Sequence, residues 1–160
     1  METPLQILAI LVATNGAPII VARVFRTRGR LPVDLGRKLA DGRPVFGSSK
    51  TWRGLAAALA TACAVSFLFG FSLRFGLTFG ALVMTGDLLS SFVKRRRGLA
   101  PSDQSVGWDQ LPESLFPSLY AVSVTGLAWW WAPVLSLAFM LIELLVSRPL
   151  FWLRIRKRPY

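Results

Sequence analysis

Long runs of apolar residues, separated by polar or basic segments, dominate the chain. Five runs are marked, over residues 5–24, 55–73, 75–93, 115–131 and 134–151. The run 55–73 contains no charged residue, and a helix of about 19 residues at 1.5 Å per residue is roughly long enough to cross a bilayer. The pattern predicts an all-α, polytopic integral membrane protein of about five transmembrane helices, forming one domain over residues 1–160. The fourth run is short and contains Pro117, so four spans are the alternative count.

Composition and sidedness of charge support this interpretation. Hydrophobic residues make up 53% of the chain and charged residues 17%, whereas soluble domains carry about 25% charged residues. Sixteen of the 19 Lys and Arg residues lie in the loops 25–54 and 94–114 or in the tail after residue 151. Because basic loops stay on the cytoplasmic side, we expect an outside N-terminus, a cytoplasmic C-terminus and a multi-pass location in the cell membrane.

The residues that are absent limit the chemistry. There is no histidine, which excludes a Ser-His-Asp triad, a histidine base and histidine metal ligands. Cys63 is the single cysteine, so no intrachain disulfide forms. A bound metal would be a hard cation held by carboxylates, which favours Mg²⁺. The net charge of +11 is typical of proteins that meet nucleic acid, membrane surfaces or phosphorylated ligands.

The third run carries a stripe of polar residues at helical spacing. Asp87, Ser91 and Lys94 are four and three residues apart, so they share one helix face. Gly76 and Gly80 continue this stripe, and small residues there let helices approach closely. A carboxylate, a hydroxyl and a cation on one face indicate a phosphate–metal site, while a structural Asp87 satisfied by a neighbouring helix is the alternative.

The first loop ends in a segment suited to polyphosphate, GSSKTWRG over residues 47–54. It is not a Walker A motif, because Lys50 lies two positions beyond the place where that motif has its lysine, and because the segment leads into a predicted span. Its small residues nevertheless free backbone amides, and Lys50 and Arg53 supply positive charge. Alternatively, both cations flank the second span and contact anionic lipid head groups.

Several blocks of the sequence, taken together, resemble a known family. The resemblance runs through NGAP at 15–18, PVDLG at 32–36, DGRPVFGSSKTWRG at 41–54, GDLLSSFVKRR at 86–96 and DQ at 109–110. These blocks resemble the CDP-archaeol synthases and, more distantly, the integral-membrane phosphatidate cytidylyltransferases. The resemblance implies a nucleotidyltransferase of phospholipid biosynthesis that joins a cytidylyl group from CTP to a lipid phosphate and releases pyrophosphate.

The resemblance also implies roles for individual residues. Lys50, Thr51 and Arg53 would contact nucleotide phosphates, with Asp41 and Arg43 lining the same loop. Asp87 and Asp109 would hold Mg²⁺, and Ser91, Lys94, Arg95 and Arg96 would hold phosphate; the residues expected to take part in catalysis are Asp87, Lys94 and Asp109. Relatives commonly have a second acid where this chain has Pro112, and we expect the neighbouring Glu113 to take over as a metal ligand.

Three alternatives remain at this stage. Within the enzyme class, the acceptor is phosphatidate or another ester lipid phosphate in place of an unsaturated ether lipid phosphate. In other classes, the chain is a small transporter with Asp87 and Glu143 as a proton relay, or a non-catalytic scaffold with basic loops. The expected partners are CTP, a lipid phosphate within the bilayer and membrane lipids, without nucleic acid; a homo-oligomer is compatible with the sequence.

Overall fold

Five helices make up the regular structure. The structure, a computed structural model, describes residues 2–25, 28–99 and 110–152, with side chains as far as residue 147. The helices are α1 (Glu2–Phe25), α2 (Trp52–Leu68), α3 (Leu73–Arg96), α4 (Gln110–Thr125) and α5 (Trp131–Trp152). The predicted all-α class is confirmed for this part of the chain, which contains five helices. By length and composition, Glu2–Phe25 and Leu73–Arg96 are long and apolar enough to cross a membrane, while Trp52–Leu68 and Trp131–Ser147 are shorter apolar helices.

The boundary between the second and third helices differs from the prediction. The sequence placed the link near Leu73, but α2 ends at Leu68, because Gly70 adopts a φ of +83° that a right-handed helix does not allow. The Ser72 hydroxyl then accepts a hydrogen bond from the Phe75 amide at 3.1 Å, which caps the N-terminus of α3. Leu73 therefore opens α3.

The fourth helix is also displaced from its predicted range of 115–131. It is already helical at Gln110 and ends at Thr125, where Gly126 has a φ of +71°. Pro112 and Glu113 thus lie in its first turn, where a proline is tolerated because the first amides of a helix have no intrahelical acceptor. Pro117 is accommodated inside the helix. The fifth helix begins at Trp131, three residues before the predicted start.

Each helix packs against the next in the chain, and α1 returns to contact α5. The core between them is apolar, and the Phe75 and Phe79 rings stack at a centroid distance of 5.7 Å. Next to these rings on α3, a Cβ added to Gly76 would lie 2.7 Å from the Cα of Cys63, and one added to Gly80 would lie 2.8 Å from the Ala62 methyl. The predicted close approach of these glycines to a neighbouring helix is confirmed, and that neighbour is α2.

The segment 28–51 between α1 and α2 is folded back on itself. Isolated antiparallel bridges join Pro32 to Thr51 and Lys38 to Pro44. The first bridge is extended by a hydrogen bond from the Val33 amide to the Lys50 carbonyl at 2.8 Å. We call this segment the α1–α2 loop; its end lies against the middle of α3 and builds one wall of the site described below.

Candidate active site

An ion pair between Lys50 and Asp87 lies at the centre of the site. The Lys50 ammonium nitrogen is 2.5 Å from one Asp87 carboxylate oxygen and 2.6 Å from the other. About one fifth of each side chain is exposed, 24% for Lys50 and 21% for Asp87, so both remain accessible from one direction. The α1–α2 loop thus brings the lysine of the GSSK segment to the carboxylate of the α3 stripe, two groups that the sequence predicted independently.

A buried carboxylate, Asp34, holds the turn that presents Lys50. It accepts hydrogen bonds from the Gly36 amide at 3.0 Å, the Phe46 amide at 2.9 Å and the Gly47 amide at 2.8 Å. The Lys50 amide in turn donates to the Gly47 carbonyl. Burial acts to raise the pKa of Asp34, but the three amides outweigh it and hold the pKa below the usual value of 3.8. Asp34 therefore remains an anion that fixes the loop.

A pocket of about 270 Å³ opens beside the ion pair. Its polar wall comes from the α1–α2 loop and the start of α2, with Arg30, Ser49, Lys50, Thr51 and Arg53, and from Asp87 of α3. The apolar part of the lining comes from three helices: Pro18 and Ala22 of α1, Leu55 of α2, and Met84 and Leu88 of α3. The pocket is therefore suited to a ligand with an anionic head and an apolar part.

The N-terminus of α2 contributes to the polar wall. Thr51 is the N-cap residue, and its hydroxyl accepts a hydrogen bond from the Gly54 amide at 3.3 Å. Residues of the first turn line the pocket, where the helix dipole and the amide groups favour an anion. Thr51 thus caps α2 and also lines the pocket, while its predicted contact with nucleotide phosphate stays a prediction.

Asp41, Arg43 and Arg96 are joined to one another. Arg96 donates to the Asp41 carboxylate at 2.5 Å, to the Pro44 carbonyl at 2.5 Å and to the Arg43 carbonyl at 3.2 Å. Arg43 donates back to the Arg96 carbonyl at 2.5 Å. The Arg43 amide, together with the Arg96 guanidinium, holds the pKa of Asp41 below 3.8. These contacts clamp the loop to the end of α3, and we call them the Arg96 clamp; the predicted nucleotide contacts of the three residues stay a prediction.

The remaining predicted residues within the described chain lie on α3 and in the first turn of α4. Ser91 and Arg95 are buried on α3, and Glu113 is buried in the first turn of α4. The two helices touch here, because a Cβ added to Gly86 would overlap the backbone of Pro112 and Glu113. Lys94 is half-buried on α3. It shares one helix face with Asp87 and Ser91, as predicted. Asp109 lies outside the described residues.

Two residues near the pocket carried no predicted role. Arg30 lines it although its position, just after the first helix, resembles an ordinary flanking cation. Asp34 is buried and organises the loop. The sequence gives one local indication of this role, the position of Gly36 two residues later, since Asp often accepts a hydrogen bond from the amide two residues on in a turn. The other partners of Asp34 are 12 and 13 residues away and leave no local pattern.

Comparison with known proteins places these features in one family. The family described as CDP-archaeol synthase, CarS-like, matches residues 6–70. A CDP-archaeol synthase of Hyperthermus butylicus is 37% identical over 118 residues, covering 68% of this chain and 67% of that protein. Those of Pyrococcus furiosus and Thermococcus onnurineus are 38% and 41% identical, and this chain spans 60% of the length of each.

A solved structure agrees with the fold. It is described as an intramembrane enzyme for archaeal membrane lipids biosynthesis, and it is 27% identical to this chain with a TM-score of 0.70. The superposition covers 89% of this chain and 90% of that one. This chain therefore shares the fold of that enzyme. The chain belongs to the CDP-archaeol synthase family.

Proposed function

We propose that the protein is a CTP-dependent cytidylyltransferase that converts a membrane lipid phosphate into a CDP-activated lipid. The observation that carries this proposal is the pocket beside the Lys50–Asp87 pair, which is lined by both cationic and apolar side chains. A nucleotide triphosphate and a lipid phosphate need such a pocket, since one brings only polar groups and the other brings a phosphate on apolar tails. Membership of the CDP-archaeol synthase family supports the same reaction.

The reaction needs no protein base. A phosphate monoester has a second pKa of about 6 and is mostly a dianion at neutral pH, so its oxygen is already a nucleophile. That oxygen forms a bond to the α-phosphorus of CTP, the bond from the α-phosphorus to the bridging oxygen breaks, and pyrophosphate leaves with the electron pair. The absence of histidine in the sequence is therefore compatible with this chemistry.

Catalysis then consists of positioning and of neutralising negative charge. Lys50 and Arg53 supply cations in the pocket wall, and the amides at the start of α2 favour a phosphate group. Asp87 orients the Lys50 ammonium through two short hydrogen bonds. Asp34 keeps the turn that carries Lys50 in place, so the cation meets the substrate without a further ordering step.

We also propose that Mg²⁺ accompanies CTP. No group of three or more His, Cys, Asp or Glu side chains converges within residues 2–25, 28–99 and 110–147. However, Mg²⁺ is usually bound by one or two carboxylates together with substrate phosphates, and the Asp87 side chain lines the pocket and is 21% exposed. Asp87, with Asp109 and Glu113 as further candidates, would hold the ion. Bound Mg²⁺ supplies charge neutralisation at the phosphoryl oxygens.

The proposed membrane arrangement is a five-span protein with an outside N-terminus and the α1–α2 loop facing the cytoplasm. Large apolar side chains exposed on the helices support it, among them Leu68 at 79% and Leu145 at 73%. The basic loops support the orientation, and CTP is a cytoplasmic substrate. Labelling of a single cysteine at Ser48 in intact cells tests this; reaction with an external, membrane-impermeant reagent would contradict the orientation.

The reaction itself is tested with purified protein, labelled CTP, Mg²⁺ and a panel of lipid phosphates. We expect a CDP-lipid and pyrophosphate in equal amounts. An unsaturated isoprenoid ether phosphate and a dioleoyl ester phosphate in the same panel distinguish the two acceptor classes. Absence of a CDP-lipid with every acceptor, from protein that remains folded in detergent, would refute the proposal.

The metal proposal has its own test. If Glu113 is a ligand, Glu113→Gln raises the Mg²⁺ concentration needed for half-maximal rate. If Glu113 acts only on the α4 dipole, the variant loses about 0.3–1 kcal/mol of stability with an unchanged Mg²⁺ profile. The latter result would remove Glu113 from the metal site.

A further inference from the structure

Two leucines of the α1–α2 loop are exposed although they lie outside the helices. Leu31 is 54% exposed and Leu35 is 58% exposed. On the helices, exposed leucines are expected to face lipid, but the loop belongs to the side of the protein that the proposed arrangement places beyond the hydrocarbon core. Exposure of leucine to water is unfavourable, and neither the motifs nor the family resemblance assigned these two residues a role.

The backbone places Leu31 beside the end of a helix. The Trp52 amide donates to the Leu31 carbonyl at 3.0 Å. Trp52 is the first residue of α2, one of the five proposed spans, and its side chain is itself 49% exposed. Tryptophan at the end of a spanning helix typically lies at the level of the lipid head groups. The backbone of Leu31 is therefore at this level as well.

Leu35 follows Leu31 closely and has a strained backbone. The Leu35 amide donates to the Pro32 carbonyl at 3.1 Å, which closes a turn directly after Leu31. The φ of Leu35 is +51°, and within residues 2–25, 28–99 and 110–152 it is the one non-glycine residue with a positive φ. Bulky side chains disfavour this region, which glycine, asparagine and aspartate adopt more readily. Neither burial nor backbone preference accounts for a leucine here, and such strain often marks a functional position.

The exposed charges of the same segment are all positive. Asp34 is the one acid between residues 28 and 39, and it is buried. The exposed charged residues of this segment are Arg28, Arg30, Arg37 and Lys38. Basic segments next to a membrane are attracted by the anionic lipids of its cytoplasmic leaflet. Basic residues combined with exposed apolar ones are typical of segments that lie in the bilayer interface.

We propose that Leu31 and Leu35, together with Trp52, insert into the interface of the cytoplasmic leaflet and hold the α1–α2 loop against the bilayer surface. This inference rests on the proposed membrane arrangement. An acidic protein surface would attract the same basic residues, but the hydrogen bond from Trp52 to Leu31 at the end of a span favours the bilayer as the partner.

The turn that carries Leu35 also supports the candidate active site. Asp34 precedes Leu35 and accepts a hydrogen bond from the Gly47 amide at 2.8 Å. The Gly47 carbonyl in turn accepts from the Lys50 amide. Contact of Leu35 with lipid therefore holds the turn that presents Lys50 close to the head groups, where a lipid phosphate carries its charge.

Fluorescence quenching in nanodiscs of phosphatidylcholine and phosphatidylglycerol tests this inference. Cys63, the single cysteine, is replaced by Ala, and a cysteine introduced by Leu35→Cys is labelled with an environment-sensitive dye. We expect blue-shifted emission and quenching by lipids that carry a nitroxide near the head group. Ser48→Cys, at an exposed polar position of the same loop, is the control, and we expect less quenching there. Equal quenching at the two positions would overturn the proposal.

The same labelled protein distinguishes the bilayer from a second copy of the chain. If emission from the dye at position 35 is blue-shifted only at high protein-to-lipid ratios and is not quenched by nitroxide lipid, another copy covers Leu35 and the proposal is wrong. Nanodiscs of phosphatidylcholine alone test the basic residues. We expect weaker quenching in them, and equal quenching would contradict the attraction to anionic lipid.

Leu35→Asn separates contact with lipid from a role in folding. Asparagine adopts a positive φ more readily than leucine but has no apolar side chain to insert. With the dye at Leu31→Cys, we expect Leu35→Asn to reduce quenching while the unfolding temperature stays the same or rises. A lower unfolding temperature with unchanged quenching would assign Leu35 a structural role and overturn the proposal.

None of these measurements needs a substrate, so this inference and the proposed reaction fail separately. Quenching at position 35 in a protein that forms no CDP-lipid would refute the proposed reaction and leave the membrane contact standing. Absence of quenching in a protein that forms CDP-lipid would refute the membrane contact and leave the reaction standing.

Discussion

The ammonium group of Lys50 bridges both carboxylate oxygens of Asp87, at 2.5 Å and 2.6 Å, across 37 residues of sequence. Each residue comes from a different structural context, since Lys50 ends the α1–α2 loop and Asp87 lies inside α3. A pair of this geometry fixes where the loop meets the helix. It also sets a cation and an anion side by side at the pocket, where phosphate chemistry would use both.

Replacing Asp87 with Asn is expected to abolish CDP-lipid formation while the fold persists. The amide keeps the shape of the side chain but loses the charge that orients Lys50. Loss of such an interaction in the transition state costs on the order of a thousandfold in rate. Thr85→Ala is the matched control, because Thr85 is exposed on the same helix and its hydroxyl donates to the Ala81 carbonyl of that helix. Near-normal turnover of Asp87→Asn at saturating Mg²⁺ would assign Asp87 a structural role.

Replacing Arg96 with Lys is expected to loosen the Arg96 clamp. A single ammonium group does not match the fork geometry with which the guanidinium reaches Asp41, Arg43 and Pro44. We expect faster trypsin cleavage after Lys38 and Arg43, with Arg74→Lys at the opposite end of α3 as the control. If cleavage is unchanged while the KM for CTP rises, Arg96 contacts the nucleotide and does not secure the loop.

Replacing Asp34 with Asn is expected to lower stability by about 1.5–3 kcal/mol at neutral pH, the range for hydrogen bonds to a charged group. The direction in which the stabilisation changes with pH follows from the lowered pKa of Asp34. The stabilisation is complete above the unfolded value of about 3.8 and is lost as pH falls through the lower folded value. Thermal unfolding from pH 7 to pH 3 measures this; a wild type and an Asp34→Asn variant with parallel pH profiles would contradict it.

Replacing Gly86 with Ala is expected to force α3 and α4 apart. The added Cβ would overlap backbone atoms of Pro112 and Glu113, which do not move aside as a flexible side chain does, so a loss of about 1–3 kcal/mol or more is expected. Gly16→Ala is the control, since nothing lies within 4 Å of its Cβ position, and alanine favours a helix by about 1 kcal/mol. The unfolding temperatures of the Gly86→Ala and Gly16→Ala variants are measured in detergent. Equal changes in the two variants would show that the α3–α4 contact can adapt to the added methyl group.

The helices were predictable because apolar runs and helical spacing are local properties. Gly76, Gly80 and Asp87 were assigned to one face of a single helix from spacing alone, and α3 has that arrangement. The helix ends were less predictable, because they depend on single residues such as Gly70 and Ser72. The turn and cap that these residues form interrupt a pattern that is continuously apolar in the sequence.

The site was predictable in its residue types and less so in its partners. Lys50 and Asp87 were both expected at a phosphate site, but their direct contact depends on how the loop folds over α3. Arg30 lines the pocket beside residues about 20 positions later because the loop folds back on itself, and the position of Asp34 depends on amides 12 and 13 residues away. Long-range pairings of this kind have no period in the sequence. The predicted roles of Ser91, Lys94, Arg95 and Asp109 stay predictions.

The close contact of Gly76 and Gly80 with α2 has a consequence for the size of the pocket. A side chain at Gly76 would meet the backbone of Ala62 and Cys63, and one at Gly80 would meet the Ala62 methyl, so a larger residue at either position would push α2 away from α3. Since the start of α2 and Asp87 of α3 both line the pocket, its width depends on two glycines that do not line it.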